Sequence, residues 1–456
     1  MNERRENDRR ATGVSRGTSE RGSVLIIVIW VCLGLVALTL YFANSMSAEL
    51  RAAENRVAET EARQAVAAGT RYAAYILTQF GTNGTVPQLE EYSSEALAVG
   101  DAQFWFIGRD PDQLPTNEPV FGLVDESSKI NLNTASRGML EALPGITPEL
   151  VEAILSWRRR SGDPEGGGAD GNTYSRLDPP RTNKSAPFET VDELRLVYGA
   201  TLEQIFGEDT NRNGVLDANE DDGEQTAPRD DQNGQLLAGI TEYVTVYSRQ
   251  PSRRSDGGRK INISTPQGRM PALALLLQRR LEPGRAMEII RRIGDQRFDS
   301  VAEFMWDSGM TPEEYALVHG DFTTRDGTVT GLINVNTASE VVLSCIPGIG
   351  VENASALVGY RLAHPDLLTS FAWLRDVLPR SSIARAGQYI TDHSYQFSAD
   401  VVAVGRLGRG YARARTIFDM SNGIPRIVYH QDLTHYGWAL GPTVREWTRP
   451  GRDAGT

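Results

Sequence analysis

The sequence predicts an α+β protein: a long N-terminal helix and a small antiparallel sheet, with a large, mainly α-helical insertion between the strands of that sheet. Three observations predict it. An uncharged apolar run, Val24 to Ala43, continues into a proline-free stretch rich in Ala, Glu, Arg and Gln that ends at Phe80. Short segments of β-branched and aromatic residues occur before residue 125 and return only after residue 395. Between them, a phrase built on Ile-Asn recurs three times.

The apolar run is long enough to cross a bilayer as a helix. Arg4, Arg5, Arg9, Arg10, Arg16 and Arg21 precede it, so the leader is expected to stay cytoplasmic and the bulk of the chain to lie outside. Three readings of the run stand open. A cleaved secretory signal has a shorter apolar core, although Ala43-Asn44-Ser45 offers small residues for cleavage. An ordinary anchor needs nothing further. A prepilin-type leader would be cut between Gly22 and Ser23, leaving the whole apolar helix on the mature chain. The continuation favours the third reading. Ser47 to Phe80 has Gly69 as its single glycine and alternates Arg51, Arg56 and Arg63 with Glu54, Glu59 and Glu61, a helix-forming, solvated pattern. A helix from Ser23 to Phe80 would reach roughly 87 Å.

Length alone allows about three domains. The net charge of −12 does not suit a nucleic-acid partner. The two cysteines, Cys32 in the apolar run and Cys345 far downstream, do not suit an internal disulfide. Gln103–Ile107 and Pro119–Val124 read as strands, as do Gln396–Gly405, Tyr411–Phe418 and Arg426–Tyr429. Lys-Ile-Asn-Leu-Asn-Thr-Ala-Ser (129–136) returns as Lys-Ile-Asn-Ile-Ser-Thr-Pro (260–266) and Leu-Ile-Asn-Val-Asn-Thr-Ala-Ser (332–339), an internal repeat. Each copy has a later echo, at Phe188, Phe298 and Phe371. The first copy is longer because of a Gly-, Pro- and Asp-rich loop over 162–187.

The expected organisation is therefore a leader (1–22), a membrane helix (23–43), a helical stem (44–80) and the first part of the sheet (81–128). Three repeats follow (129–259, 260–331 and 332–394), then the C-terminal strands (395–445) and a disordered tail (446–456).

The third copy reads as a helix–hairpin–helix: Asn336-Thr337-Ala338-Ser339 caps one helix, Pro347-Gly348-Ile349-Gly350 makes the hairpin, and Ala354 to Arg361 lies in the second helix. The first copy has Pro144-Gly145-Ile146-Thr147 at the hairpin. Such hairpins can hold a phosphate. Here, however, Arg361, Arg375 and Arg380 face Glu340, Glu352, Asp366 and Asp376. A net-negative unit lacks the clustered cations that drive DNA affinity, so the repeats are expected to be scaffold.

The strongest chemical motif is Asp209 to Glu220, which fits a twelve-residue EF-hand loop. Asp209, Asn211 and Asn213 supply side-chain oxygens, Gly214 the turn, Val215 its carbonyl, Asp217 a further oxygen and Glu220 a bidentate carboxylate. Calcium is the expected ion, in a structural role. An entering helix is expected over 191–206. No exiting helix is expected, because Gly223 and Pro228 follow closely. Asp163 and Asp170 are a weaker second candidate.

No enzyme signature is present. His319, His364, His393, His430 and His435 show no metal-ligand spacing. Asp392-His393-Ser394 reads as a turn, and no nucleophile elbow, P-loop or dinucleotide fingerprint occurs.

Taken together, several features resemble the protein K family of type II secretion systems, the large minor pseudopilins. They are the leader, the apolar helix, Asp125-Glu126 before Lys-Ile-Asn, Glu193-Leu194 before Val197-Tyr198-Gly199, and Val335-Asn336-Thr337-Ala338. The resemblance covers most of residues 20–440. It implies a pilin-like helix and sheet interrupted by helix–hairpin–helix (SAM-like) repeats, processing by a prepilin peptidase, and a place in the inner membrane with the bulk in the periplasm. It further implies calcium binding, and a tip-capping, assembly-initiating role beside minor pseudopilins I and J. With Ser23 as the first mature residue the fifth is Ile27, where shaft subunits carry a glutamate. A buried acid needs a partner, and a subunit with nothing above it has none. The alternative is a membrane-anchored DNA-uptake receptor, or a minor pilin of a type IV pilus, that uses its hairpins.

Overall fold

The computed structural model describes residues 20–109, 118–160, 169–226, 229–254, 256–266 and 269–448, with side chains from Val24 onward. Contacts divide the chain into residues 1–57 and 58–456. Helix α1 spans Glu20–Phe80, and its N-terminal part is the one described segment long and apolar enough to cross a membrane. There every large apolar side chain from Val24 to Phe42 is exposed.

Residues 58–456 form one compact unit around a six-stranded sheet. Its strands are β1 (Leu97–Val99), β2 (Ala102–Ile107), β3 (Val124–Asp125), β4 (Gln396–Val404), β5 (Tyr411–Asp419) and β6 (Arg426–Asp432). The order is β1-β2-β4-β5-β6, all antiparallel, with β3 also paired to β4. In α1, Ala58, Ala62, Ala65, Val66, Ala73, Ile76 and Leu77 are buried. That is a three-to-four-residue spacing, one apolar stripe of a helix. It packs on Phe104, Phe106, Phe397, Val401 and Phe418. A Cβ on Gly69 would stand 2.5 Å from Val401, so glycine there lets the helix lie close on the sheet. The opposite face, with Trp105, Val402 and Val404, is covered by Ala439, Leu440 and Val444.

The helical insertion enters from β3 and leaves into β4, with its own core. Each repeat opens on a two-residue strand and closes by pairing that strand in parallel with a later one. The pairs are Ile130–Asn131 with Val244–Thr245, Ile261–Asn262 with Phe322–Thr323, and Ile333–Asn334 with Ile390–Thr391. The opening asparagine performs the same double task each time. Its Oδ1 accepts the N–H two residues on, from Asn133, Ser264 or Asn336. Its Nδ2 donates three residues beyond the closing threonine, to Ser248, Asp326 or Ser394. A third bond recurs: the carbonyls of Leu132, Ile263 and Val335 accept from Arg158, Arg269 and Arg361. Buried polar groups thus pair internally, as a core requires.

Several expectations need correction. Pro119–Val124 is not a strand; Phe121 makes one isolated bridge to Ile107, and pairing to β4 starts at Val124. The helix expected over 191–206 is two pieces, Val191–Leu196 and Leu202–Phe206, because Val197 is extended and Gly199 sits at φ +77°. The 162–187 loop contains the helix Gly171–Ser175. Glu446 and Trp447 lie in the helix Gly441–Trp447, so the tail is not irregular from 446. Residues 449–456 lie outside the described residues, as does the leader up to residue 19.

Candidate metal centre

The Asp209–Glu220 loop folds inward around its own acceptors. Asp209 Oδ1 accepts from Asn213 N–H at 3.0 Å and Oδ2 from Gly214 N–H at 2.9 Å. The Oδ1 atoms of Asn211 and Asn213 take the N–H groups of Asn213 and Val215. Both asparagine amides donate to Asp217 Oδ2, at 2.5 and 3.1 Å. Glu220 caps the loop, its Oε1 taking Thr210 N–H and its Oε2 Asp217 N–H. Gly214 has φ +77°, and a Cβ there would stand 2.7 Å from the Arg109 side chain; the glycine permits both the turn and that close approach.

The loop is riveted from outside. Arg109 donates to the carbonyls of Asn213 and Arg212 and pairs with Glu242. Arg413, on β5, donates to the carbonyls of Asn211 and Arg212 and holds Asp400 on β4 through two bonds of 2.8 and 2.7 Å. Arg212 lies over the rings of Phe206 and Tyr436, at 4.1 and 4.4 Å. The two asparagine amides reach the carbonyls of Trp438 and Ala439. The loop therefore fastens the helical insertion to the C-terminal end of the sheet.

Its donor set suits a hard cation. Asp209, Asn211, Asn213, Val215 and Glu220 are buried, and their oxygens are carboxylate, amide or carbonyl. Burial pushes the Glu220 carboxyl up to about 7, helped by Asp209 and opposed by the bonds from Thr210 and Asp217. Burial also raises Asp209, against the pull of Arg109. Among the described residues no basic side chain pairs with Glu220. As placed, each asparagine keeps its Oδ1 on a backbone N–H and its Nδ2 on Asp217 and the carbonyl of Trp438 or Ala439, so an ion would have to displace these bonds to be ligated by both.

Asp163 lies outside the described residues, and Asp170 caps the helix Gly171–Ser175 by accepting from Thr173. Gly22 and Ser23 fall within α1 at positions whose side chains are not described. One group escapes sequence spacing. His319, Asp392 and His393 bring ligand atoms within 4.8 Å of one another, the one such group of three among the described residues. Their 73-residue separation hides it, and Asp392-His393 alone reads as a turn.

Two of the arginines beside the hairpins are committed elsewhere. Arg158 donates to the carbonyls of Leu132 and Ala135, and Arg361 is 2% exposed. Neither points outward to a phosphate.

Residues 125–205 match the family described as type II secretion system (T2SS), protein K. The match lies at the start of the helical insertion. It begins at Asp125 and contains the first repeat's opening strand, its hairpin and its Phe188 echo. No curated protein matches the sequence. Among solved structures, a chain of the GspK-GspI-GspJ complex from the enterotoxigenic Escherichia coli type 2 secretion system is similar over 84% of this chain and 99% of that one. The identity is 12% and the TM-score 0.41, a distance at which residues are not compared one by one.

Proposed function

We propose that this protein is a minor pseudopilin that caps the tip of a type II secretion pseudopilus and helps to initiate its assembly, together with minor pseudopilins I and J. The match of residues 125–205 to the protein K family carries the reading. The exposed apolar part of α1 supports a single inner-membrane span with the bulk in the periplasm. Ile27 at the fifth position after Gly22 supports a subunit that begins the filament instead of repeating along it. The chain's role is structural, and DNA capture through the hairpins is disfavoured by arginines turned into the fold. Expression beside a prepilin peptidase should yield a chain starting at an N-methylated Ser23, and that chain should co-purify with minor pseudopilins I and J. A mature start at Met46, or no association with either partner, would refute the assignment.

In this role Asp209, Asn211, Asn213, Val215, Asp217 and Glu220 would hold a structural calcium ion, neutralising buried carboxylates where insertion and sheet meet. The full chain in detergent should melt well below its calcium-loaded temperature once EDTA is added. Glu220→Gln should lose most of that difference, and an EDTA-insensitive melt would remove the metal from the account.

A further inference from the structure

We propose that His319, Asp392 and His393 form a divalent transition-metal site of the zinc class, joining the second and third helical repeats. His319 follows the last helix of the second repeat, in the short turn His319–Asp321. Asp392 and His393 follow the closing strand Ile390–Thr391 of the third. The Asp392 carboxylate lies between the imidazoles, with Oδ2 3.1 Å from His319 Nδ1 and Oδ1 2.5 Å from His393 Nδ1. The ring centroids are 4.5 Å apart.

Zinc holds imidazole nitrogen and carboxylate oxygen at roughly 2.0–2.2 Å in a tetrahedron, which sets neighbouring ligand atoms about 3.3 Å apart. With one ligand atom from each residue, the three already lie within 4.8 Å of one another, so modest side-chain rotation would bring them to that spacing. A Cβ on Gly320 would stand 3.5 Å from His393 Nε2. The other ring nitrogen, Nδ1, lies on the carboxylate side and is taken as the ligand atom. Two imidazoles and one carboxylate, with no thiolate, suit zinc and its borderline neighbours better than calcium or magnesium.

The supporting bonds are those a metal site uses to fix its ligands. Phe371 N–H donates to Asp392 Oδ2 at 3.1 Å. His393 N–H donates to Thr391 Oγ1, and Gln250 donates to the His393 carbonyl. His319 and Asp392 are held on separate repeats, so the ligand set exists only when the two are docked. All three residues line a cleft of about 1090 Å³, which gives an ion a route in and leaves the fourth position to water.

The surrounding charges are mixed. Lys260 is the nearest opposing cation; burial pushes its ammonium down to about 8, and it donates to Tyr395 Oη at 3.2 Å. Asp321 is paired to Arg254. Burial works against a charged Asp392, yet the two imidazoles outweigh it and hold the carboxyl far below its usual range.

The test uses untagged full-length protein in detergent, stripped with a chelator and titrated with zinc in the presence of millimolar calcium. One zinc per chain should bind with micromolar affinity or tighter, and its binding should raise the melting temperature. His319→Gln, at the partly exposed corner, should weaken binding roughly tenfold or more and abolish the thermal shift. Asp392→Asn should do the same if it folds. No zinc bound by the wild-type chain, zinc displaced by the calcium, or unchanged affinity in His319→Gln would each overturn the proposal. In those cases Asp392 is simply a carboxylate bridging two histidines.

Discussion

Replacing Arg413 with methionine should cost the protein about 3–5 kcal/mol of stability, the usual consequence of leaving one member of a buried ion pair alone. Both partners are almost fully buried, with side chains 0% and 3% exposed. The guanidinium joins three parts of the fold: its own strand β5, Asp400 on β4, and the carbonyls of Asn211 and Arg212 in the Asp209–Glu220 loop. Methionine keeps much of the volume but none of the donors. Asp400 would retain Arg415 at 3.1 Å, which places the loss at the lower end of that range.

The same pair predicts an acid limb. Burial opposes ionisation of Asp400, but Arg413, then Arg415 and Arg109, bring its carboxyl down to about 2. An aspartate in the unfolded chain titrates near 3.9. A folded value below the unfolded one adds stability that is present above about pH 4 and disappears as pH falls through about 2. Denaturant melts of wild type and Arg413→Met should therefore differ most at neutral pH and converge towards pH 2–3. Parallel curves across that range would show that the pair contributes through packing alone.

How much of this was legible in the sequence depends on how local each signal is. Helix α1 was readable because its evidence is continuous: an uncharged run, then good helix formers without proline. The repeat openings were readable because Ile-Asn is followed each time by the same short phrase, and the asparagine's double hydrogen bonding explains the recurrence. The closing threonines, Thr245, Thr323 and Thr391, were not. A two-residue parallel strand has no periodicity to detect, and its partner lies as much as 114 residues from it, as Asn131 and Thr245 do. Strand β1 went unseen for the same reason of length. The interrupted helix at 191–206 looked continuous because its apolar residues keep helical spacing, while Gly199 breaks the backbone. The Asp209–Glu220 loop reads by pattern as a cation-binding motif, since its oxygens come from twelve consecutive residues. The clamps on it, Arg109 and Arg413, were not, because arginine carries no positional mark until the fold brings it near. His319 and Asp392 meet for the same non-local reason.

Asp125→Ala should be the other costly substitution, at about 3–5 kcal/mol, because it strands several buried donors at once. Asp125 ends β3 at the entry to the insertion. Its Oδ1 takes the Ser127 N–H at 2.7 Å, and its Oδ2 takes the hydroxyls of Thr337 and Ser394, each at 2.5 Å, and the Asn334 amide at 3.3 Å. Those partners belong to the opening of the third repeat and to the exit into β4, so one carboxyl ties the insertion's entry to its far end. Burial pushes that carboxyl up to about 6, although Ser394, Thr337 and Ser127 all donate to it. With the folded value above the unfolded one, the contribution to stability is full below about pH 4 and is lost as pH rises through about 6. A shift of about two units corresponds to roughly 2–3 kcal/mol. Asp125→Asn resembles the protonated acid and has no proton to lose. Relative to wild type it should therefore gain roughly 2 kcal/mol between pH 4.5 and pH 7.5, measured by denaturant melts of both proteins. A constant difference between them would mean that the four donors keep Asp125 ionised throughout, and that its role is to anchor the two ends without sensing pH.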